Sequence, residues 1–331
     1  MTDVVALAAE LLALQSTSGA ESSAVDFVSR WLVAGGWDVE LQEVAPGRAN
    51  VWARRAGHGV TLSTHLDTVP PYVSPRLEGN RLYGRGACDA KGIAAAMMVA
   101  AEQLAADGEL RVDLLFVVGE EKNSDGARAA NHLPATSRFL INGEPTESKL
   151  ASGAKGSQRV VIRTRGRAAH SAYAHLGESA IVPMLALLPT IHEIPLPSDP
   201  VLGDTTLNIG TIHGGTEANI VPALCESEVM FRLVNDVAPL RKAVERWAKG
   251  RAELDWGSHI PPQRFHTLPG FDTAPVAYTS DIPLLDRWGT PLLFGPGSIT
   301  VAHTPDEYVD VAELRGAVDT YARMVRALLE T

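Results

Sequence analysis

The chain has 331 residues, 45% of them hydrophobic and 21% charged, which describes an ordinary globular protein long enough for two cores. Its net charge of −10 argues against nucleic acid or an anionic membrane surface as a partner, because both reward basic patches. No apolar run approaches the ~20 residues that span a bilayer. The first residues lack the basic start of a secretory leader, and Cys88 and Cys225 give no disulfide framework, so a cytoplasmic protein is expected.

In chain order, apolar spacing predicts helices over 3–15 and 21–34, then short strands at 37–43, 50–54 and 59–64. The segment 91–106 is a strong helix too apolar to be exposed on more than one side. A strand at 111–118, a short helix at 125–132 and a strand at 138–142 continue a βαβ succession. That alternation predicts an α/β fold, a mostly parallel twisted sheet with helices on both faces. After Gly153 the character changes. Residues 157–165 alternate apolar and polar, followed by a helix at 178–192, strands at 205–213 and 224–234, a helix at 237–249 and a strand at 252–256. This order is that of a small ferredoxin-like α+β sandwich. A Pro-rich return at 261–275 leads to a helix at 278–288, a strand at 291–294 and a last helix at 310–329. The expected division is 1–154 with 264–331 as one domain, interrupted by 155–263.

Five residues able to bind metal stand out by position: His65, Asp89, Glu121, Glu144 and His303. Four follow buried strands, and Asp89 lies in the glycine-bracketed loop GRGACDAKG before a helix. In an open α/β sheet, ligands collect outside the carboxyl ends of the strands, so distant residues can converge there. Two histidines and three carboxylates make a ligand set for two divalent cations sharing one carboxylate, an arrangement that activates water for hydrolysis. Asp67 is placed to fix the His65 ring. Glu120 and Glu121 end an apolar strand side by side; burying both is costly without a cation, and one can bind metal while the other faces water. Taken singly, each of these is more often a satisfied structural residue; the combination is what points to a site. Cys88 reads as a small buried residue in a tight loop. No Walker loop, HExxH, nucleophile elbow or complete calcium loop is present.

The segments STHLDTVP, GRGACDAKG, the Glu120–Glu121 pair, NGEPTE and GPGSITVAHTPDEY resemble, in order, the metal-site motifs of one dinuclear zinc metallopeptidase family. It includes acetylornithine deacetylase, succinyl-diaminopimelate desuccinylase, aminoacylase and glutamate-type carboxypeptidases, and the motifs are most similar to those of acetylornithine deacetylase. The resemblance implies two divalent ions, zinc or cobalt, bridged by Asp89. His65 and Glu144 would complete one metal, Glu121 and His303 the other, with Glu120 as general base and a cis peptide after Asp89. It implies that the insert is a lid through which a homodimer forms and that His170 reaches the partner subunit's site. Asn219, Arg232 and Gly297 are the implied substrate contacts, although MFRLV departs from the family's pattern before Arg232. The expected reaction is hydrolysis of an N-acyl amino acid, N-acetylornithine or a close analogue. The alternatives are a dipeptide, as for a dipeptidase or carboxypeptidase, and an acyl-lysine on a carrier protein. A non-catalytic metal binder would have no use for a free Glu120.

Overall fold

The computed structural model describes residues 2–55 and 59–330. The chain forms two compact units, one of Met1–Ser152, Phe265–Ala274 and Ser280–Thr331, the other of Gly153–Arg264 and Pro275–Thr279.

The first unit is built on a six-stranded sheet in the order Asp38–Ala45, Arg48–Arg54, Val112–Val117, Val60–His65, Phe139–Asn142, Thr290–Leu293. The last four strands run parallel, and the first two are antiparallel to their neighbours. Side chains alternate between two cores, as a pleated strand requires. Val112, Leu114 and Phe116 join Val51, Leu62 and Ile141 on one face; Leu115 and Val117 join Trp52 and Leu140 on the other. The helix Lys91–Ala106 lies on the first face, packed between the sheet and the helices Val4–Ala13 and Val311–Leu329. Its burial on nearly every side explains its apolar composition; each fully buried Leu, Ile or Met contributes roughly 1.5–3 kcal/mol. The second face is covered by the short helix Asp125–Ala130 and by Leu285 and Trp288, the latter set edge-on against Trp52 at 5.6 Å.

Strand order places the site. From Val60–His65 the chain moves to one neighbour, Val112–Val117, and then crosses to the other, Phe139–Asn142. The carboxyl ends of these three strands therefore open on a topological switch point, where α/β sheets bind ligands.

The second unit is a four-stranded antiparallel sheet in the order Thr206–Gly214, Leu224–Leu233, Gly156–Arg165, Glu253–Ile260. The helices Ile181–Leu187 and Val237–Ala248 share a core with Val160, Ile162, Val229 and Phe231 on one face.

Two helices expected from the sequence are absent in that form. The segment 178–192 is helical only over Ile181–Leu187 and continues as the 3₁₀ turns Leu188–Glu193, because Pro189 supplies no N–H to an α-helix. The segment 278–288 holds a single 3₁₀ turn, Ile282–Leu284, around Pro283. The structure also holds short pairings that the sequence does not announce, Arg81–Tyr83 with Arg76–Glu78 and with Tyr308–Asp310. No helix among the described residues is long and apolar enough to cross a membrane.

Candidate metal centre

His65 ends its strand fully buried, with Nδ1 2.9 Å from the Asp67 carbonyl oxygen and Nε2 3.0 Å from Oδ1 of Asp89. The carbonyl can only accept, so Nδ1 carries a proton and Nε2 faces a carboxylate. Two acceptors at that distance need a proton or a cation between them. Burial opposes the charged imidazole, but Asp67, Asp89 and the field of Glu144 outweigh it and hold His65 well above its ordinary value.

Asp89 is presented by a loop that turns sharply into the helix Lys91–Ala106, with a cis peptide between Asp89 and Ala90. Gly92 permits this fold-back: a Cβ there would lie 2.1 Å from the Ala87 carbonyl oxygen. Each oxygen of Asp89 faces a different histidine, Oδ1 toward His65 at 3.0 Å and Oδ2 toward Nε2 of His303 at 3.3 Å. Burial would raise this carboxyl, but His303 and His65 hold it far below the usual carboxylate range. His303 has φ +64°, left-handed backbone that a histidine adopts only where its surroundings enforce it. Its Nε2 is 3.0 Å from Oε1 of Glu121, and Asp89 and Glu121 push its pKa up to about 10. Ligand atoms of His65, Asp89 and Glu121 all lie within 4.8 Å of one another.

The Asp67 side chain faces both the His65 ring and the next strand end. Its Oδ1 is 3.5 Å from Nδ1 of His65, whereas its two oxygens accept the N–H groups of Glu120 and Glu121 at 3.0 and 3.1 Å. The Ser18 hydroxyl also donates to it at 2.7 Å. Burial pushes Glu120 well above the usual carboxylate range, with Asp281 adding to it. Burial does the same to Glu144, with Glu120 adding to it. Buried His65, Asp89 and Glu144 together with the half-exposed His303 offer imidazoles and carboxylates, a donor set that fits borderline and hard divalent cations. Cys88 is buried, its thiol pushed up by burial, and its Sγ lies 3.7 Å from the Ser298 carbonyl oxygen. Asp281 was not visible as a site residue in the sequence. It is 1% exposed, and burial pushes it up to about 6.

Gly297, also in the first unit, has φ +84°, and a Cβ there would lie 2.5 Å from that of Cys88. Its N–H donates to Oε2 of Glu313 at 3.2 Å. His170, Asn219 and Arg232 belong to the second unit. His170 and Asn219 are exposed neighbours: the Ser171 N–H donates to the Asn219 carbonyl at 2.9 Å, and His170 bridges Ile220. Nδ1 of His170 accepts the Ala172 N–H at 3.2 Å, which leaves the proton of a neutral ring on Nε2. Arg232 is half-buried in its strand, opposite Thr206 and Ser157, and burial lowers its pKa.

Comparison with known proteins gives a family and a fold. The model of "Peptidase family M20/M25/M40" matches residues 61–327. An Aspergillus clavatus protein named "Probable carboxypeptidase" is 38% identical over 368 residues, covering 97% of this chain and 81% of the relative. The structure is similar to that of a Staphylococcus aureus tripeptidase, with TM-score 0.83, 20% identity and coverage of 99% and 98% of the two chains. It is also similar to a Bacillus subtilis structure described as a dinuclear metal binding peptidase of the M20 family, with TM-score 0.73, 18% identity and coverage of 99% and 98%.

Proposed function

Because the chain belongs to peptidase family M20/M25/M40 and is therefore a metallopeptidase-type hydrolase, we propose that it cleaves the amide bond of an N-acyl amino acid with two divalent metals. N-acetylornithine is the first candidate substrate, and zinc, or cobalt in its place, the metal. The observation that carries this reading is Asp89, whose two oxygens each face a different histidine. It would be the shared ligand, with His65 and Glu144 completing one metal and Glu121 and His303 the other.

When bound, the metals would polarise the amide carbonyl and lower the pKa of the attacking water. Glu120 takes the proton from that water on its carboxylate and returns it to the amine nitrogen as the C–N bond breaks. Asp67 holds the main chain that carries Glu120. An N–H donor at the developing oxyanion is typically worth ~3 kcal/mol, and Nε2 of His170, supplied by a partner subunit, is the candidate. Asn219, Arg232 and the Gly297 loop are candidates for the substrate's amide and carboxylate. The second unit serves as lid and dimer contact. Its edge strand Thr206–Gly214 is open to solvent, with Ile209 and Ile212 37% and 45% exposed, and suits pairing with a second copy. Two buried, unpaired cysteines suit the cytoplasm.

A peptide substrate is the second reading, favoured by the name of the A. clavatus relative. Both readings share a free α-carboxylate beside the cleaved bond. Assays with zinc or cobalt on acetylornithine, acetylcitrulline, acetylmethionine, succinyl-diaminopimelate, an acyl-lysine carrier protein and dipeptides would separate them. Turnover of dipeptides with none of the acyl amino acids would overturn the first reading.

A further inference from the structure

Two side chains outside the ligand set hold the two loops that present Asp89 and His303. Glu307 is completely buried and Arg85 2% exposed, and Nη1 of Arg85 donates to Oε2 of Glu307 at 2.6 Å. The other oxygen of Glu307 accepts three main-chain N–H groups of the Asp89 loop: Gly86 at 2.9 Å, Cys88 at 3.3 Å and Asp89 at 3.3 Å. Arg85 donates from Nε to the Pro71 carbonyl at 3.2 Å and turns its two Nη groups to the other loop. Nη1 reaches the Thr304 carbonyl at 3.2 Å and Nη2 the carbonyl of His303 at 3.5 Å. The Gly84 N–H closes the frame on the Glu307 carbonyl at 3.0 Å.

We propose that Arg85 and Glu307 are a positioning pair that sets the spacing of Asp89 and His303 and thereby the affinity for metal. The physical argument starts from cost. A buried ion pair is often no more stabilising than apolar residues of the same volume, so stability alone does not explain this arrangement. What the pair supplies is direction. A carboxylate gathering convergent N–H groups fixes the loop that carries Asp89, and a planar guanidinium fork engages two adjacent carbonyls and a carboxylate from a fixed spread of donors that the single ammonium of a lysine does not reproduce. The left-handed His303 needs such enforcement. Neither residue touches a metal-facing side chain in any contact described above; both act through main chain.

The inference rests on the two-metal reading, and its test keeps the two apart. Wild type, Glu307→Gln and Arg85→Lys are stripped, reloaded with zinc and titrated against a chromophoric chelator, with circular dichroism as the check on folding. Both variants should fold and bind zinc about 10- to 100-fold more weakly, the usual size of such outer-sphere effects, with kcat recovering as zinc is raised and KM unchanged. A folded variant whose zinc affinity stays within about twofold of wild type overturns the proposal. So does a variant left unfolded at any zinc concentration, since its role is then structural only. Wild type that holds fewer than two ions would overturn the two-metal reading itself.

Discussion

The Asp67 carboxylate holds the main chain of Glu121, accepting its N–H at 3.1 Å, while the other Asp67 oxygen takes the N–H of Glu120 at 3.0 Å. The turn that presents both glutamates is thus tied to the neighbouring strand end. His65 is oriented differently, by the main-chain carbonyl of Asp67, which no substitution of that side chain removes. Asp67→Asn should therefore leave His65 in place and loosen the glutamate turn. The expected result is a 10- to 100-fold fall, to order of magnitude, in kcat and in the affinity of the more weakly held metal. Metal titration of the variant beside its kinetics measures both; wild-type values for each would remove Asp67 from the site.

The paired glutamates should separate by phenotype. Glu120→Ala should keep metal content and lose turnover, a loss of about 10²- to 10⁴-fold for a missing proton carrier. Glu121→Ala should lose metal, because its Oε1 is the group facing His303 at 3.0 Å. Metal analysis of both purified variants decides this, and a reversed pattern would exchange their roles.

The parallel strands were legible because a strand buried on both faces is mostly apolar. The run VDLLFVV announces itself, and so does the polar pair beyond it. His65, Glu121 and Glu144 could be picked out because each stands at or just beyond the carboxyl end of a buried strand. Asp281 and Glu307 could not. Asp281 lies in a stretch whose spacing reads as a helix and Glu307 beside a second acid, Asp306; the burial of each depends on residues far away in sequence. The loss of the helix 278–288 belongs to the same problem. Its apolar spacing reflects Ile282, Leu285 and Trp288 packing from a non-helical segment, and periodicity does not distinguish the two.

Removing metal should cost more stability at higher pH. Glu120 and Glu144 have folded-state pKa values above their unfolded ones, so in the metal-free protein the native state holds extra protons. Their contribution is fully present below about 4.3 and is lost as pH rises through the folded values. His303, at about 10 when folded, acts in the same direction: stabilising below its unfolded value and progressively less so above it. Asp89 has the opposite sign, but its contribution is already complete above the unfolded carboxylate range and does not change at neutral pH. The Tm of chelator-treated protein should therefore fall from pH 5 to pH 8 more steeply than that of loaded protein. Parallel curves would mean that the acidic cluster is compensated without metal.

The last prediction concerns His170. Its Nδ1 is engaged by the Ala172 N–H, so the neutral ring offers Nε2–H to solvent from an exposed loop. An exposed histidine with a fixed tautomer is a suitable oxyanion donor, but in isolation it is equally a surface residue with no bearing on catalysis. The open edge of the strand Thr206–Gly214 in the same unit suits a twofold pairing, and a donor lent across that pairing would make the site a property of the dimer. An equal mixture of two inactive variants, Glu120→Ala and His170→Ala, unfolded and refolded together, tests this directly. If His170 acts in the partner's site, each mixed dimer has one site with both groups intact, and random pairing restores roughly a quarter of wild-type activity. If it acts in its own subunit, every site lacks one group and the mixture is no more active than its parents. If His170→Ala alone retains full activity, the residue belongs to the surface and the oxyanion donor must be sought elsewhere. Mixed dimers demonstrated by differential tagging but without recovered activity would exclude the shared site.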